Sequence, residues 1–161
     1  LSKIKKKSIL VIGDVMLDNY YVGDIKRISP EAPVPVFRKR TERSVLGGAA
    51  NVAAKLVAAN QKVTMMSIIG NDDNGRKLLE YFKEKGINTD LVQILNRNTT
   101  IKTRFLAGNN QQVLRLDVED TEPISYKVCQ DMLKKLEEEI DCYHLILLSD
   151  YLKGLPTFDF T

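Results

Sequence analysis

Residues 8–18 read SILVIGDVMLD, an apolar and partly β-branched run that ends at Gly13 and leads into two acidic residues, Asp14 and Asp18. A short apolar run that stops at a glycine predicts a buried strand of a parallel sheet. Open α/β sheets bind ligands beyond the carboxyl ends of their strands. Asp14 and Asp18 therefore lie where a carboxylate can accept hydrogen bonds from ligand hydroxyls, although each suits a simple turn or helix cap equally well.

Strands and helices alternate along the chain. Apolar runs predict further strands over residues 63–69 and 145–148, and apolar residues at helical spacing predict helices over residues 49–60, 73–85 and 128–140. Asp72 or Asp73 is a good N-cap for the second helix, and Gly86 is a good stop for it. This alternation predicts a parallel sheet with helices on both sides.

Two other segments have a different pattern. Between Tyr20 and Val36, aromatic and β-branched residues alternate with charged ones and three prolines follow, which favours exposed or edge strands rather than a central one. Residues 101–117 alternate around a turn at Gly108–Asn110, as expected for a hairpin. We expect these segments to form a small accessory sheet over one end of the main sheet.

The composition is that of a folded globular protein, with 161 residues, 43% hydrophobic and 28% charged. The net charge is only +3, and four lysines lie within the first seven residues, which argues against a nucleic-acid-binding face. No apolar run approaches a membrane span, so we expect no membrane contact. Two distant cysteines and one histidine support neither zinc nor redox chemistry, and we expect a cytoplasmic protein.

Gly47 and Gly48 immediately precede a predicted helix, where glycines allow a ligand to approach the backbone and the first-turn amides offer donors. Asn51 adds a donor and an acceptor in the same turn. Tight loop packing explains the glycines as readily. At the end of the last apolar strand, Asp150 repeats the acidic pattern, and Lys153 could neutralise a phosphate or simply be solvated.

Lys102, Arg104 and Arg115 belong to the predicted hairpin, where alternation puts Lys102 and Arg104 on one face. Such a face suits an anionic substrate group, and solvation of an exposed sheet explains it equally well. We interpret Tyr126, Phe82 and the methionines at positions 65, 66 and 132 as core residues.

Seven segments together resemble one family, the ribokinase-like (PfkB) carbohydrate kinases, and within it the D-glycero-β-D-manno-heptose-7-phosphate kinases of ADP-heptose and lipopolysaccharide-core biosynthesis. The segments are GDVMLD (13–18), RISPEAPVPVF (27–37), GGAANVA (47–53), IIGNDDNG (68–75), TTIKTRF (99–105), QQVLRLD (111–117) and LLSDYLKG (147–154). The glycine pair alone would indicate only the superfamily. The first three segments, in this order and spacing, are a specific combination.

The resemblance implies a three-layer α/β sandwich with a mostly parallel sheet and a small β-sheet lid, the lid coming from residues of about 19–38 and 99–117. It implies that Asp18, Gly47, Gly48, Asn51 and Asp150 contact the sugar. Lys153 would lie near phosphates, and the lid cations Lys102, Arg104 and Arg115 are candidates for the sugar's 7-phosphate. The lid would also form homodimer contacts.

The implied activity is phosphorylation of the heptose 7-phosphate at O1, with ATP and Mg²⁺ as cofactors. The match covers nearly all of this chain but only the front part of the family's domain, so residues 1–161 would be the N-terminal part of one kinase domain. The family's Gly-Ala-Gly-Asp segment, which carries the catalytic base, has no counterpart before Thr161. We therefore expect the isolated chain to be inactive. Two alternatives stay open, a non-catalytic sugar-phosphate-binding or dimerisation module and a kinase for another sugar such as fructose or ribose.

Overall fold

The computed structural model describes residues 5–155 and contains two four-stranded sheets. The elements, in chain order, are β1 (Ser8–Gly13), β2 (Val15–Ile28), β3 (Pro35–Gly47), α1 (Gly48–Ala58), β4 (Lys62–Gly70), α2 (Asp73–Lys85), β5 (Asn88–Leu95), β6 (Ile101–Ala107), β7 (Gln111–Val118), α3 (Tyr126–Glu139), a 3₁₀ turn (Ile140–Cys142) and β8 (Leu145–Ser149). Within these residues no helix is long and apolar enough to cross a membrane.

The main sheet has the order β5-β4-β1-β8, and all of its pairings are parallel. Side chains of β1 alternate between two apolar clusters. Ile9 and Val11 pack with α1 and α2 on one face, whereas Leu10 and Ile12 pack with α3 on the other. The prediction of a parallel sheet with helices on both sides is confirmed.

Helix α2 begins and ends as the sequence predicts. The Asp72 carboxylate accepts a hydrogen bond from the N–H of Gly75, and Gly86 ends the helix in the left-handed conformation with a φ of 72°. Leu78 and Phe82, four residues apart, are fully buried against the sheet. Both caps and the apolar spacing therefore specify this helix.

The second sheet, which we call the lid sheet, has the order β3-β2-β6-β7. Strand β2 pairs with β3 on one side and with β6 on the other, so the prediction that this segment forms only exposed or edge strands was wrong for β2. Phe105 explains its stability there, because Tyr21 and Phe37 both pack edge-to-face on the Phe105 ring at centroid distances of 5.3 and 5.2 Å. Pro35 begins β3, which is an edge strand.

Two further expectations need correction. Strand β5 was not predicted, although it completes one edge of the main sheet beside β4. Tyr126 is 79% exposed at the start of α3 and is not a core residue, because its side chain lies outside the buried face of that helix. Phe82 and the methionines at positions 65, 66 and 132 are buried as expected. Residues 156–161 lie outside the described residues.

Replacing Asp72 with alanine should lower the free energy of unfolding by about 2 kcal/mol at neutral pH, because the carboxylate caps α2 and also accepts hydrogen bonds from the N–H and hydroxyl of Thr99. Burial opposes ionisation of Asp72, but these hydrogen bonds outweigh it and lower its pKa. Ionised Asp72 therefore stabilises the folded state at pH values above the pKa that it has in the unfolded chain. This contribution is lost as the pH falls through the lower pKa that Asp72 has in the folded chain. Urea unfolding of wild type and variant between neutral pH and pH of about 3 should therefore show the two curves converging.

Asp73→Ala is the matched control, because the neighbouring Asp73 side chain is 93% exposed and pairs with Arg76 one turn along the same helix. We expect it to change the unfolding free energy by less than about 0.5 kcal/mol. Equal losses in the two variants would contradict this account of the cap.

Candidate functional site

Asp18 lies against Gly47, where β2 and β3 run side by side. A Cβ atom on Gly47 would come within 2.5 Å of Asp18 Oδ2 and 2.8 Å of Met16 Cγ, so a side chain there would displace Asp18 and Met16. Gly48 has a φ of 54°, and its Cβ would lie 2.5 Å from the carbonyl oxygen of Asp14. The glycine pair therefore allows the backbone to approach the Asp18 carboxylate and the end of β1.

Helix α1 begins at this glycine pair. Gly47 is its N-cap residue and provides no side-chain cap, and the N–H of Ala49 donates to the Asp14 carbonyl oxygen at 2.9 Å. Asn51 is exposed in the first turn. The first-turn amides and the positive end of the helix dipole thus lie beside the Asp18 carboxylate, an arrangement suited to oxygen-rich ligands.

Arg104 forms an ion pair with Asp18 from the neighbouring strand β6, with 2.5 Å between Nη1 and Oδ1. Both side chains are about one-fifth exposed, at 24% and 18%. The hydrogen bond that Arg104 donates to Asp18 raises the pKa of the Arg104 guanidinium, which also lies over the Tyr20 ring at 5.4 Å. Arg104 therefore fixes the direction of the Asp18 carboxylate.

A second group of charges lies on the same face of the lid sheet, since Asp18 is paired in register with Lys102 and Lys102 with Asp117. Lys102 Nζ lies 3.0 Å from an Asp117 oxygen and 3.4 Å from a Glu119 oxygen. Arg115 contacts the other Asp117 oxygen at 2.9 Å. The lid cations are thus each held by a carboxylate.

Glu119 also connects the lid to the loop that follows β8, because Lys153 Nζ donates to Glu119 Oε1 at 2.8 Å. The hydrogen bond from Lys153, with the nearby charge of Lys102, lowers the pKa of the Glu119 carboxyl. For Asp117, burial opposes ionisation, but hydrogen bonds from Lys102 and Arg115 outweigh it and lower the pKa. We call Lys102, Arg115, Asp117, Glu119 and Lys153 the lid charge cluster.

Asp14 is 2% exposed and directly follows β1, as Asp150 directly follows the neighbouring strand β8. Its Oδ2 accepts hydrogen bonds from the N–H groups of Tyr151 and Lys153. Burial raises the pKa of Asp14, and the nearby charge of Asp150 acts in the same direction, whereas those N–H donors lower it. Asp150 itself is exposed and accepts a hydrogen bond from the N–H of Leu152.

Residues 6–156 match the family described as "pfkB family carbohydrate kinase". The chain belongs to the pfkB family of carbohydrate kinases. It is 46% identical over 149 residues to "Bifunctional protein HldE" of Trichlorobacter lovleyi, covering 92% of this chain and 30% of that protein. It is 40% identical over 154 residues to "D-beta-D-heptose 7-phosphate kinase" of Bordetella bronchiseptica, covering 95% of this chain and 48% of that protein. The chain thus spans less than half the length of these curated relatives.

Solved structures agree on the fold. A carbohydrate kinase from Agrobacterium tumefaciens superposes with a TM-score of 0.64 at 20% identity, covering 88% of this chain and 45% of that one. A ribokinase of Arabidopsis thaliana, complexed with ribose and ATP, gives a TM-score of 0.65 at 18% identity, covering 89% and 45%. The ribokinase-like α/β fold predicted from the sequence is therefore confirmed.

The structure of this pfkB-family chain brings the predicted site residues together in two neighbouring groups. Asp18, Gly47, Gly48 and Asn51 lie around the start of α1, and Arg104 joins them through Asp18. Lys102, Arg115 and Lys153 belong to the lid charge cluster. Asp150 lies in the same loop after β8 as Lys153 and accepts a hydrogen bond from the N–H of Leu152.

Sequence reasoning did not select Asp117 or Glu119 as part of the site. The sequence does contain a signal for both residues. Asp117 and Glu119 follow Arg115 at every second position, and such positions share one face of an extended chain. The partnership of Glu119 with Lys153 had no such signal, since it joins residues 34 apart in the sequence.

Gly48→Ala should destabilise this chain more than Gly86→Ala does. Both glycines are left-handed, at φ of 54° and 72°, so each substitution carries a backbone cost of about 1 kcal/mol. Only at Gly48 does the new Cβ also collide with backbone, at the Asp14 carbonyl oxygen, whereas at Gly86 nothing lies within 4 Å. Thermal and urea unfolding should show a further loss of about 1–3 kcal/mol for Gly48→Ala, and equal losses would contradict the packing described for the site.

Proposed function

We propose that this chain is the sugar-binding part of an ATP-dependent kinase that phosphorylates O1 of D-glycero-β-D-manno-heptose 7-phosphate. One observation carries the proposal. The Asp18 carboxylate lies against Gly47 at the start of α1, and the lid charge cluster lies next to it on the same sheet face. A carboxylate suits hydroxyl donors and clustered cations suit a phosphate, so the two halves of the site fit a sugar phosphate. The names of the curated relatives support the same substrate class.

The sugar end of the proposed site consists of polar groups from β2, the start of α1 and the loop after β8. Asp18 accepts hydrogen bonds from sugar hydroxyls, and Asn51 offers a donor and an acceptor from the first turn of α1. Asp150, exposed after β8, accepts further hydroxyl bonds. Gly47 and Gly48 let the backbone at the start of α1 lie close to the Asp18 carboxylate and the Asp14 carbonyl oxygen.

The phosphate end consists of cations that carboxylates already hold. Lys102, Arg104 and Arg115 face the sugar's 7-phosphate in this proposal, and Lys153 faces the nucleotide phosphates. Each of the four is ion-paired, to Asp18, Asp117 or Glu119. A phosphate dianion therefore binds to cations that the carboxylates hold in position, and it offers them several further acceptor oxygens.

When bound, ATP supplies the transferred phosphoryl group and Mg²⁺ neutralises its charge. No group of three or more His, Cys, Asp or Glu side chains among residues 5–155 is arranged to hold a metal ion, so the proposal assigns Mg²⁺ no ligand in this part of the chain. This chain contributes the binding and orientation of the sugar. The catalytic base belongs, in this proposal, to a segment beyond Thr161 of a longer cytoplasmic protein, of whose kinase domain residues 1–161 are the N-terminal part.

Asp18→Ala should weaken binding of heptose 7-phosphate to this chain by about 10- to 100-fold, because it removes an acceptor of sugar hydroxyls and releases Arg104. Isothermal titration calorimetry measures the effect. Asp24→Ala is the control, since Asp24 lies on the same strand but pairs with Arg40 away from the site, and we expect it to bind as wild type does. An equal loss in both variants would contradict the assignment of Asp18.

The longer protein that contains this chain should release ADP from ATP in the presence of heptose 7-phosphate, and the 161-residue chain alone should not. A coupled ADP-release assay tests both statements. A panel with fructose, ribose and their phosphates separates the heptose assignment from the other sugars. No turnover with any sugar by the longer protein, together with binding by this chain, would instead favour a non-catalytic sugar-phosphate-binding module.

We also propose that the lid sheet pairs with a second copy of this chain. Strand β7 is an edge strand, and on the face opposite Arg115 it exposes Leu114, Leu116 and Val118 by 57%, 52% and 40%. Exposed apolar side chains on an unpaired edge are favourable only when another surface covers them. The neighbouring apolar cavity of about 320 Å³, between Phe37, Phe105 and Leu114, provides space for partner side chains.

Leu116→Glu should weaken this dimer by at least about tenfold, because it places a charge in the apolar contact. Sedimentation equilibrium measures the dissociation constant. Ile146→Lys is the matched control, since Ile146 is a 37% exposed apolar residue on β8, the edge of the other sheet. A wild-type chain that stays monomeric, or an association that only Ile146→Lys disrupts, would contradict a lid-mediated dimer.

A further inference from the structure

Asp14 connects three segments of the molecule. It is the one residue between β1 and β2, and its N–H donates to the Ser149 carbonyl oxygen at 3.1 Å. Its carbonyl oxygen accepts the N–H of Ala49 at the start of α1, and its side chain extends to the loop after β8. Asp14 therefore contacts both the glycine pair and the loop that carries Asp150 and Lys153.

The loop after β8 has an unusual backbone. Leu152 has a φ of 57°, a left-handed conformation that costs a leucine about 1–2 kcal/mol. Its side chain is 74% exposed, so packing provides little compensation. On either side of it, the N–H groups of Tyr151 and Lys153 donate to the same oxygen, Asp14 Oδ2, at 2.8 and 3.2 Å. Amides that converge in this way around a left-handed residue form an anion-binding nest, and here the anion is the Asp14 carboxylate.

Burying a carboxylate is energetically unfavourable, because the charged group loses its hydration. The other oxygen of Asp14, Oδ1, is buried and has no hydrogen-bond partner among the described residues. An ionised carboxylate in that position gives up solvation that its protein partners only partly replace. The arrangement therefore contributes chiefly to the conformation of the loop rather than to the overall stability of the protein.

We propose that Asp14 is a positioning residue whose carboxylate holds the Tyr151–Lys153 turn in its left-handed conformation and so fixes Asp150 and Lys153 at the candidate site. Arg97 also supports this turn, through a hydrogen bond to the Lys153 carbonyl oxygen at 3.1 Å. The significance of Asp150 and Lys153 for substrate binding rests on the proposed function. The effect of Asp14 on the turn does not.

The first test is hydrogen exchange of individual backbone amides in the ligand-free chain, followed by NMR. Asp14→Asn should speed exchange at the Tyr151 and Lys153 amides about tenfold or more, because an amide oxygen is a weaker acceptor than a carboxylate. Exchange at the Leu148 amide in the adjoining strand should change less than about twofold. Asp141→Asn, an exposed residue in the turn before β8, is the control and should alter neither.

The second test uses the strained leucine. Asparagine adopts the left-handed conformation at lower cost than leucine does, and position 152 is exposed. Leu152→Asn should therefore slow exchange at the Tyr151 and Lys153 amides several-fold. In the double variant it should partly reverse the faster exchange that Asp14→Asn causes. A general loss of packing would not be rescued in this way. The single variant Leu152→Asn keeps the test decisive if Asp14→Asn does not fold. The proposal would be overturned if Asp14→Asn accelerated exchange equally at the Tyr151, Lys153 and Leu148 amides, or if Leu152→Asn had no effect on exchange.

A calorimetric titration with heptose 7-phosphate then links the turn to the site. Binding should weaken several-fold in Asp14→Asn and recover in part in Asp14→Asn/Leu152→Asn, in step with the exchange rates. If the wild-type chain binds no sugar phosphate while the exchange results hold, the proposed function fails and the role of Asp14 stands. If binding is normal in Asp14→Asn although the turn has loosened, the positioning role for this site is wrong.

Discussion

The junction between the two sheets is the constraint on which the rest of the structure depends. Strand β1 ends at Gly13 and β2 begins at Val15, so the chain passes from the main sheet to the lid sheet through a single residue. A Cβ on Gly13 would come within 2.1 Å of the Ser149 carbonyl oxygen, so β8 lies directly against the junction. The lid sheet therefore has little freedom to shift relative to the strand ends, and Asp18, four residues beyond Asp14, is fixed at their edge.

The elements that sequence alone specified are those with a complete set of local signals. Helix α2 combines the cap at Asp72, the stop at Gly86 and two buried residues one turn apart. Strand β5 lacks such signals, because Asn88, Asp90 and Gln93 interrupt its apolar residues and only Leu91 among them is fully buried. As an edge strand it needs no continuous apolar run.

The error over β2 has a different physical cause. Alternating polar residues indicate which face of a strand is exposed to solvent, but they do not indicate how many neighbouring strands pair with that strand. Strand β2 has one polar face, carrying Asp18 and Tyr20, and yet is hydrogen-bonded on both sides. The same limit applies to the site. The nearness of Asp18 to the end of β1 follows from the rule for strand ends, although its place inside β2 does not. The contact of Lys153 with Glu119 depends on how the lid lies over the main sheet, which no local pattern encodes.

The charges at the site are nearly balanced. Four cations, namely Lys102, Arg104, Arg115 and Lys153, pair with three carboxylates, Asp18, Asp117 and Glu119. Such a cluster attracts anions only weakly from a distance, because the field of each cation is largely cancelled by its partner. Its selectivity must therefore come from geometry at close range, where a phosphate offers several acceptor oxygens to cations that the carboxylates already hold in position.

Arg104 gives Asp18 a direction as well as a partner. The guanidinium holds Oδ1, while Oδ2 is the oxygen that lies toward the space left by the missing side chain of Gly47. A carboxylate fixed in this way loses little rotational freedom when a hydroxyl donates to Oδ2, so the entropy cost of binding is smaller. Because Arg104 belongs to β6, this orientation is maintained only while the lid strand stays paired with β2. Recognition of hydroxyls by Asp18 and recognition of a phosphate by the lid charge cluster thus depend on the same hydrogen-bonded sheet.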